Sequence, residues 1–323
     1  MRAALVTRLD GPLAVEVIDV PDPTPTARQV VIEVAAAGIC FPDVLLTRGE
    51  YQLKPPPPFI PGSEVAGTVT HAPAGSGFVV GQQVAAFPGF GGFAEQVAVD
   101  PEFVFPLPDG FGLDAAAALP MNYLTSHFAL VTRGGLRTGD SVLVHGAAGG
   151  VGTAAVQLAK ALGATVYAVV SSESKAAVAR SAGADEVVLA EGFLGAVKSL
   201  TGGRGVDIVV DPVGGDRFTD SLRALAPLGR LLVIGFTAGA IPEVKVNRLL
   251  LNNVSVVGVG WGAYWMGAGG IGFVREQWDA LLRLLEAGAL DPVLGGSYPL
   301  AQVGVALTEV DERRATGKLL LHP

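Results

Sequence analysis

The sequence predicts an α/β protein in two parts: a doubly wound parallel sheet, and a mainly β domain whose chain it interrupts. Three observations carry that reading. From Leu119 to Val259, short apolar runs alternate with helical stretches. A turn of small residues, Gly146–Gly152, joins the first of those runs to an amphipathic helix. Before residue 119 the pattern differs, with strand-like apolar runs such as QVVIEVAAAG (29–38) and EVAGTVTHA (64–72).

Size and composition set the bounds. The 323 residues suffice for two hydrophobic cores, and with half of them apolar and 16% charged the chain is globular rather than disordered. A net charge of -8 without a basic cluster argues against a nucleic-acid partner. Cys40 is the single cysteine, so neither an internal disulfide nor a multi-thiolate zinc site can form. Arg8, Asp10, Glu16 and Asp19 break the apolar runs of the first twenty residues, which therefore do not read as a signal peptide, and a cytoplasmic location is expected.

In chain order, KPPPPFIPG (54–62) holds five prolines and is stiff, extended and non-helical. The βα series then offers strands at Ser141–His145, Thr165–Val170, Glu186–Leu189, Val206–Asp211, Arg230–Gly235 and Val254–Val259. Between them lie helical stretches at Gly150–Leu162, Ala176–Ser181, Phe193–Leu200 and Arg217–Leu225. The first of these helices puts Val151, Ala154, Ala155, Leu158, Ala159 and Leu162 on one face. Residues 249–274 carry no formal charge, but recurrent glycines and Asn252–Asn253 make them a buried strand and a glycine-rich loop rather than a membrane span. A helix at Val274–Ala287 and a strand in RRATGKLLLHP complete the chain.

The turn in VLVHGAAGGVGTAAVQLAKALGA (142–164) carries the chemistry. Against the dinucleotide pattern G-x-G-x-x-G, Ala147 stands at the first position, Gly149 at the second and Gly152 at the third. Gly149 lets a pyrophosphate approach the backbone, and Gly152 lets the helix pack close to the strand. The amides of Ala148, Gly149, Gly150, Val151 and Gly152 are the candidate phosphate donors. The second strand ends not in an acid but in Ser171 and Ser172, with Lys175 close behind. Two hydroxyls and an ammonium suit a 2′-phosphate, so NADPH is expected rather than NADH. Glu173 either faces outward or accepts from a ribose hydroxyl. Val213, Gly214, Gly235 and Phe236, at the ends of the fourth and fifth strands, are candidates for the ribose and nicotinamide region.

These stretches, with GICFPDVLLTRGEY, PFIPGSEVAGTV, LPMNYLTSHFAL, SSESKAAVARSAGADEVV, GRGVDIVVDPVGG and ATGKLLL, span almost the whole chain. Together they resemble the zinc-independent NADPH:quinone oxidoreductases of the medium-chain dehydrogenase/reductase superfamily. The resemblance implies a chaperonin-10-like (GroES-like) β domain formed by residues 1–118 and 260–323, and a Rossmann domain at 119–259. It implies NADPH as cofactor, and a homodimer joined through the sheet edge at Val254–Val259. It implies hydride transfer to a quinone, with reduction of enones or enoyl-CoA esters as the alternative. A non-catalytic NADPH-binding structural or RNA-associated protein is a second alternative.

Zinc-dependent members place metal ligands where Cys40, Ser63 and Met121 stand. Only Cys40 could ligate, and the neighbouring Glu64 does not complete a set of three. His71 lies seven residues from Glu64 and is expected on the opposite strand face. With no base or cation beside it in sequence, Cys40 reads as a pocket wall rather than a nucleophile. Zinc-free relatives often carry Asn there. The resemblance makes Tyr51 the acceptor-site tyrosine and Asp43 a residue that fixes its segment. It puts Thr125 near the nicotinamide, with Asn122 and Tyr123 closing the pocket. It also makes Lys318 a lysine that reaches cofactor or nearby backbone. His127 reads as an ordinary helix-face histidine.

Overall fold

The computed structural model describes Met1–Pro323. The chain leaves its first unit after Met121 and returns to it at Leu294. In that first unit, Val30–Gly38 is the organising strand. It is buried along both faces except at Glu33 and Ala35. It pairs antiparallel with Glu64–His71, Gln96–Val99 and the C-terminal strand Lys318–His322. Val30, Ile32, Val65, Val69, Phe93, Leu319 and Leu321 form the core between these strands. Residues far apart in sequence thus share one sheet, and Lys318 comes to lie beside Cys40 and Glu64.

The second unit, Asn122–Val293, is built on a six-stranded parallel sheet. In sheet order its strands are Glu186–Leu189, Thr165–Val170, Ser141–His145, Val206–Asp211, Leu225–Val233 and Ser255–Gly258. Leu143, Val209 and Leu231 are fully buried, which is why these runs are continuously apolar rather than alternating. The order reverses between Thr165–Val170 and Val206–Asp211, on either side of the central strand. That switch opens a place for a ligand at the carboxyl ends of the strands.

Two expectations change. The return to the first unit falls at Leu294 rather than at residue 260. Helix Gly270–Glu286 buries Val274, Trp278 and Leu281 in the second unit. Its Gln277 accepts from the Trp261 indole at 2.8 Å and donates to the Leu124 carbonyl at 3.1 Å. The strand over Val254–Val259 is the expected edge strand, observed as Ser255–Gly258, but of the burial expected along it only the flanking Val254 and Val259 show it. The glycine-rich stretch after it coils into short helical turns, Trp261–Gly269. No helix is long and apolar enough to cross a membrane.

Candidate functional site

Three turns meet at the carboxyl ends of the parallel strands. The first is Gly146–Gly149, and the second, Pro212–Gly215, packs against it. A Cβ on Gly146 would lie 3.2 Å from the Val213 side chain. The third, Gly235–Gly239, hydrogen-bonds to the second: the Thr237 and Ala238 amides donate to the Pro212 and Val213 carbonyls at 3.2 and 3.0 Å. Ala148, Gly149, Val213, Gly214, Gly235 and Phe236, far apart in the sequence, are thereby brought together.

Helix Gly150–Ala161 starts at this junction, and no side chain caps it. The amides of its first turn have no acceptor within the helix, and they carry its positive end. Gly146 takes φ 58, a left-handed conformation that favours glycine. The tight-turn role expected near Ala147 therefore falls one residue earlier. Gly152 is where the helix touches the turn: a Cβ there would collide with the Gly146 carbonyl and lie 2.7 Å from Ala147 Cα. Gly149, in contrast, is open, its nearest neighbour for a Cβ being the Gly146 oxygen at 3.5 Å. An open glycine over uncapped amides is a fitting seat for a pyrophosphate.

Under these turns lies a buried polar layer that the sequence reading did not single out. Asp211 accepts from the Val213 and Gly214 amides, both at 2.9 Å, and so shapes the second turn. His145 Nε2 and Ser221 Oγ are 2.8 Å apart. Ser221 gives its one proton to the Arg217 carbonyl at 3.0 Å, so the imidazole donates from Nε2. Burial lowers the His145 pKa to about 4, although the Asp211 charge opposes it. A strand-terminal histidine followed by glycines was the only sequence signal for this layer.

Strand Thr165–Val170 ends immediately before Ser171 and Ser172. Ser172 is the N-cap residue of helix Glu173–Ser181 and shares a 2.9 Å hydrogen bond with Ser174. Lys175 lies half-buried in the first turn of that helix, and Glu173 is exposed there.

In the first unit, Cys40 stands at the centre of a buried cluster. It precedes helix Phe41–Thr47, and its amide donates to Asp43 Oδ2 at 2.8 Å. Its thiol donates to Glu64 Oε1 at 3.1 Å and accepts from Lys318 Nζ at 2.9 Å. Burial, helped by Glu64, raises the thiol pKa well above its ordinary value, so the sulfur stays protonated. Burial also lifts Asp43 to about 7, against the pull of the Cys40 amide and Lys318. Burial alone would lower the Lys318 pKa, but Cys40 and Glu64 outweigh it and hold the ammonium above the usual lysine range. Lys318 and Glu64 form an ion pair with 3% and 0% exposure. The lysine expected to reach cofactor or nearby backbone is thus engaged with Cys40 and Glu64.

The positions compared with zinc ligands gather here. Ser63 Oγ lies 3.8 Å from Cys40 Sγ, and the Met121 amide donates to Glu64 Oε2 at 2.7 Å. An ammonium is already bound to the cysteine and the glutamate, and no three His, Cys, Asp or Glu side chains group to hold a metal. His71 is exposed at the far end of its strand, away from buried Glu64. Tyr51 is half-buried in the bend after the Cys40 helix. Burial above all raises its pKa, so the phenol remains a donor.

Helix Pro120–His127 carries the other three candidates. The buried Asn122 amide faces Gly150, where a Cβ would come within 2.6 Å of Nδ2. Thr125 is half-buried. Tyr123 is buried, and its phenol donates to Gln157 Oε1 at 2.6 Å. The Gln157 amide in turn donates to the Asp291 carbonyl. His127 accepts from Gln277 at 3.2 Å, consistent with a packing role.

A dinucleotide-type sheet interrupting a GroES-like β unit defines an enzyme class, the dehydrogenase/reductases of medium chain length. Residues 26–109 match the model of the alcohol dehydrogenase GroES-like domain, and residues 150–287 that of the zinc-binding dehydrogenases. The chain is 39% identical to quinone oxidoreductase-like protein 2 of Bos taurus, over 99% of this chain and 92% of that protein. A probable oxidoreductase from Mycobacterium abscessus has a structure of TM-score 0.91 at 45% identity, covering 100% of this chain and 99% of the other. The quinone oxidoreductase of Thermus thermophilus, solved also in complex with NADPH, gives TM-score 0.87 at 36% identity with full coverage of both chains. This protein belongs to the zinc-independent, quinone oxidoreductase-like branch of the medium-chain dehydrogenase/reductase superfamily.

Proposed function

We propose that the protein is an NADPH-dependent oxidoreductase that transfers hydride to a small acceptor such as a quinone. The observation that carries this reading is the seat formed by three contiguous strand-end turns around an uncapped helix terminus. Bound NADPH supplies the chemistry as a hydride from its nicotinamide C4, leaving NADP⁺, while a proton from solvent completes the reduced acceptor. The amides of Gly150, Val151 and Gly152 neutralise the pyrophosphate. Ser171, Ser172 and Lys175 take the 2′-phosphate. Val213, Gly214, Gly235 and Phe236 line the ribose and nicotinamide region, and Asn122 and Thr125 orient the ring. Tyr51 donates a hydrogen bond to the acceptor's carbonyl oxygen, where negative charge grows during transfer. Quinones accept hydride readily, so geometry and one donor suffice for this chemistry.

Two substitutions probe the assignments. Lys175→Ala lowers NADPH affinity about tenfold, a typical charge-assisted contact, and leaves NADH affinity unchanged. Titration of both cofactors by fluorescence checks it, and equal losses would reject the phosphate role. Tyr51→Phe lowers kcat about tenfold, less than the roughly 10²–10³ lost with an oxyanion-hole donor because a quinone accepts hydride readily, with the NADPH Kd unaltered. An unchanged kcat would remove Tyr51 from the acceptor site.

The acceptor class is tested by mixing the enzyme anaerobically with NADPH and a panel of quinones, enones and enoyl-CoA esters. Quinones are expected to react. Oxidation of NADPH by the alkenes alone would establish the alternative reading. We further read the enzyme as a homodimer joined at the open edge of Ser255–Gly258, close to which Val246, Leu250 and Leu251 are exposed. A native mass near twice 32.9 kDa checks this.

A further inference from the structure

Glu64 and Lys318 are an ion pair withdrawn from water. Such pairs gain little stability over apolar residues of similar volume, so the contacts themselves require another account. Glu64 Oε1 holds Lys318 and the Cys40 thiol. Glu64 Oε2 accepts from the Met121 amide at 2.7 Å, a short, charge-assisted bond. Met121 is the second residue of helix Pro120–His127, whose first turn has no acid of its own. A carboxylate from a distant strand therefore supplies the negative charge that a helix N-terminus favours.

We propose that Glu64 is a positioning residue for hydride transfer: through the Met121 amide it sets the start of the helix bearing Asn122 and Thr125, and Lys318 is its built-in counter-ion. The inference rests on the reading of Asn122 and Thr125 as residues that orient the nicotinamide. Lys318 pairs with Oε1 and leaves Oε2 to the Met121 amide. Cys40 occupies the remaining side of Oε1, so the carboxylate has one orientation.

Two double variants separate this role from packing. Lys318→Met with Glu64→Gln removes both buried charges but keeps an oxygen for the Met121 amide. Lys318→Met with Glu64→Leu removes the charges and the acceptor together. The two pairs are expected to share an NADPH Kd, while the Gln pair turns over a quinone about tenfold faster, the scale of a modest misplacement of reacting groups. Equal kcat in the two pairs would overturn the proposal. Replacing Met121 by its α-hydroxy acid deletes the donor and leaves the ion pair intact, so it decides the question even where the Leu pair does not fold. A tenfold lower kcat is expected there, and an unchanged one would overturn the role. A wild-type enzyme that oxidises NADPH with none of the quinones, enones or enoyl-CoA esters would instead sink the functional reading beneath it.

Discussion

Gly152→Ala is expected to lower NADPH affinity by at least about a hundredfold, equivalent to roughly 2.7 kcal/mol. The new methyl would collide with the Gly146 carbonyl and come within 2.7 Å of Ala147 Cα. Both obstacles are backbone, so no rotamer change relieves them. The helix must back away from the turn, and its first amides move with it. Overpacking of this kind also costs about 1–3 kcal/mol of stability. Gly149→Ala provides the contrast. Its φ of -90 is ordinary for any residue, and its Cβ meets nothing nearer than 3.5 Å. Stability should therefore stay within about 1 kcal/mol of wild type, while the methyl stands where a phosphate approaches and weakens NADPH about tenfold. Thermal melts and cofactor titration of both variants check this. Retained affinity in both would place the pyrophosphate elsewhere.

A second large effect concerns pH. Burial raises Asp43 from 3.8 to about 7 in the fold, so the folded state keeps a proton that the unfolded chain releases. The stability this gives is full below pH 4 and is lost as pH rises through 7, about 4 kcal/mol in all. His145 acts in the opposite sense. Burial lowers it from 6.5 to about 4, so its contribution is full above pH 6.5 and is lost as pH falls through 4, about 3 kcal/mol. The two contributions offset each other across one window in the wild type. Asp43→Asn should therefore leave a protein whose stability rises between pH 4 and 6.5. His145→Gln should leave one whose stability falls between pH 4 and 7. Urea denaturation at three pH values reads the slopes, and parallel slopes in the two variants would contradict the burial account.

The parallel sheet was legible because its strands advertise themselves locally. Ser141–His145, Thr165–Val170, Glu186–Leu189 and Val206–Asp211 are mainly apolar and bounded by turn residues, and all four appear with the expected ends. The glycine turn was legible for the same reason, since Gly149 and Gly152 are three residues apart and their roles are set by that spacing. What could not be read was tertiary. Lys318 meets Cys40 across 278 residues, and the register of the closing strand against Val30–Gly38 decides that meeting. The 260–293 segment was placed with the first unit by the resemblance, which does not say what its helix covers. Gln277 and Trp278 settle it by packing in the second unit. His145, Asp211 and Ser221 showed only as the end of one strand, the end of another and a helix residue. Their hydrogen bonds depend on the sheet order that brings those ends together.

The most direct measurement follows NADPH absorbance as purified enzyme is mixed anaerobically with a simple benzoquinone, before and after exhaustive chelation. Stoichiometric loss of NADPH at the same rate in both samples is the predicted result, because the proposed hydride transfer uses no metal. A rate abolished by chelation and restored by zinc would contradict that account, and so would an enzyme that binds no NADPH.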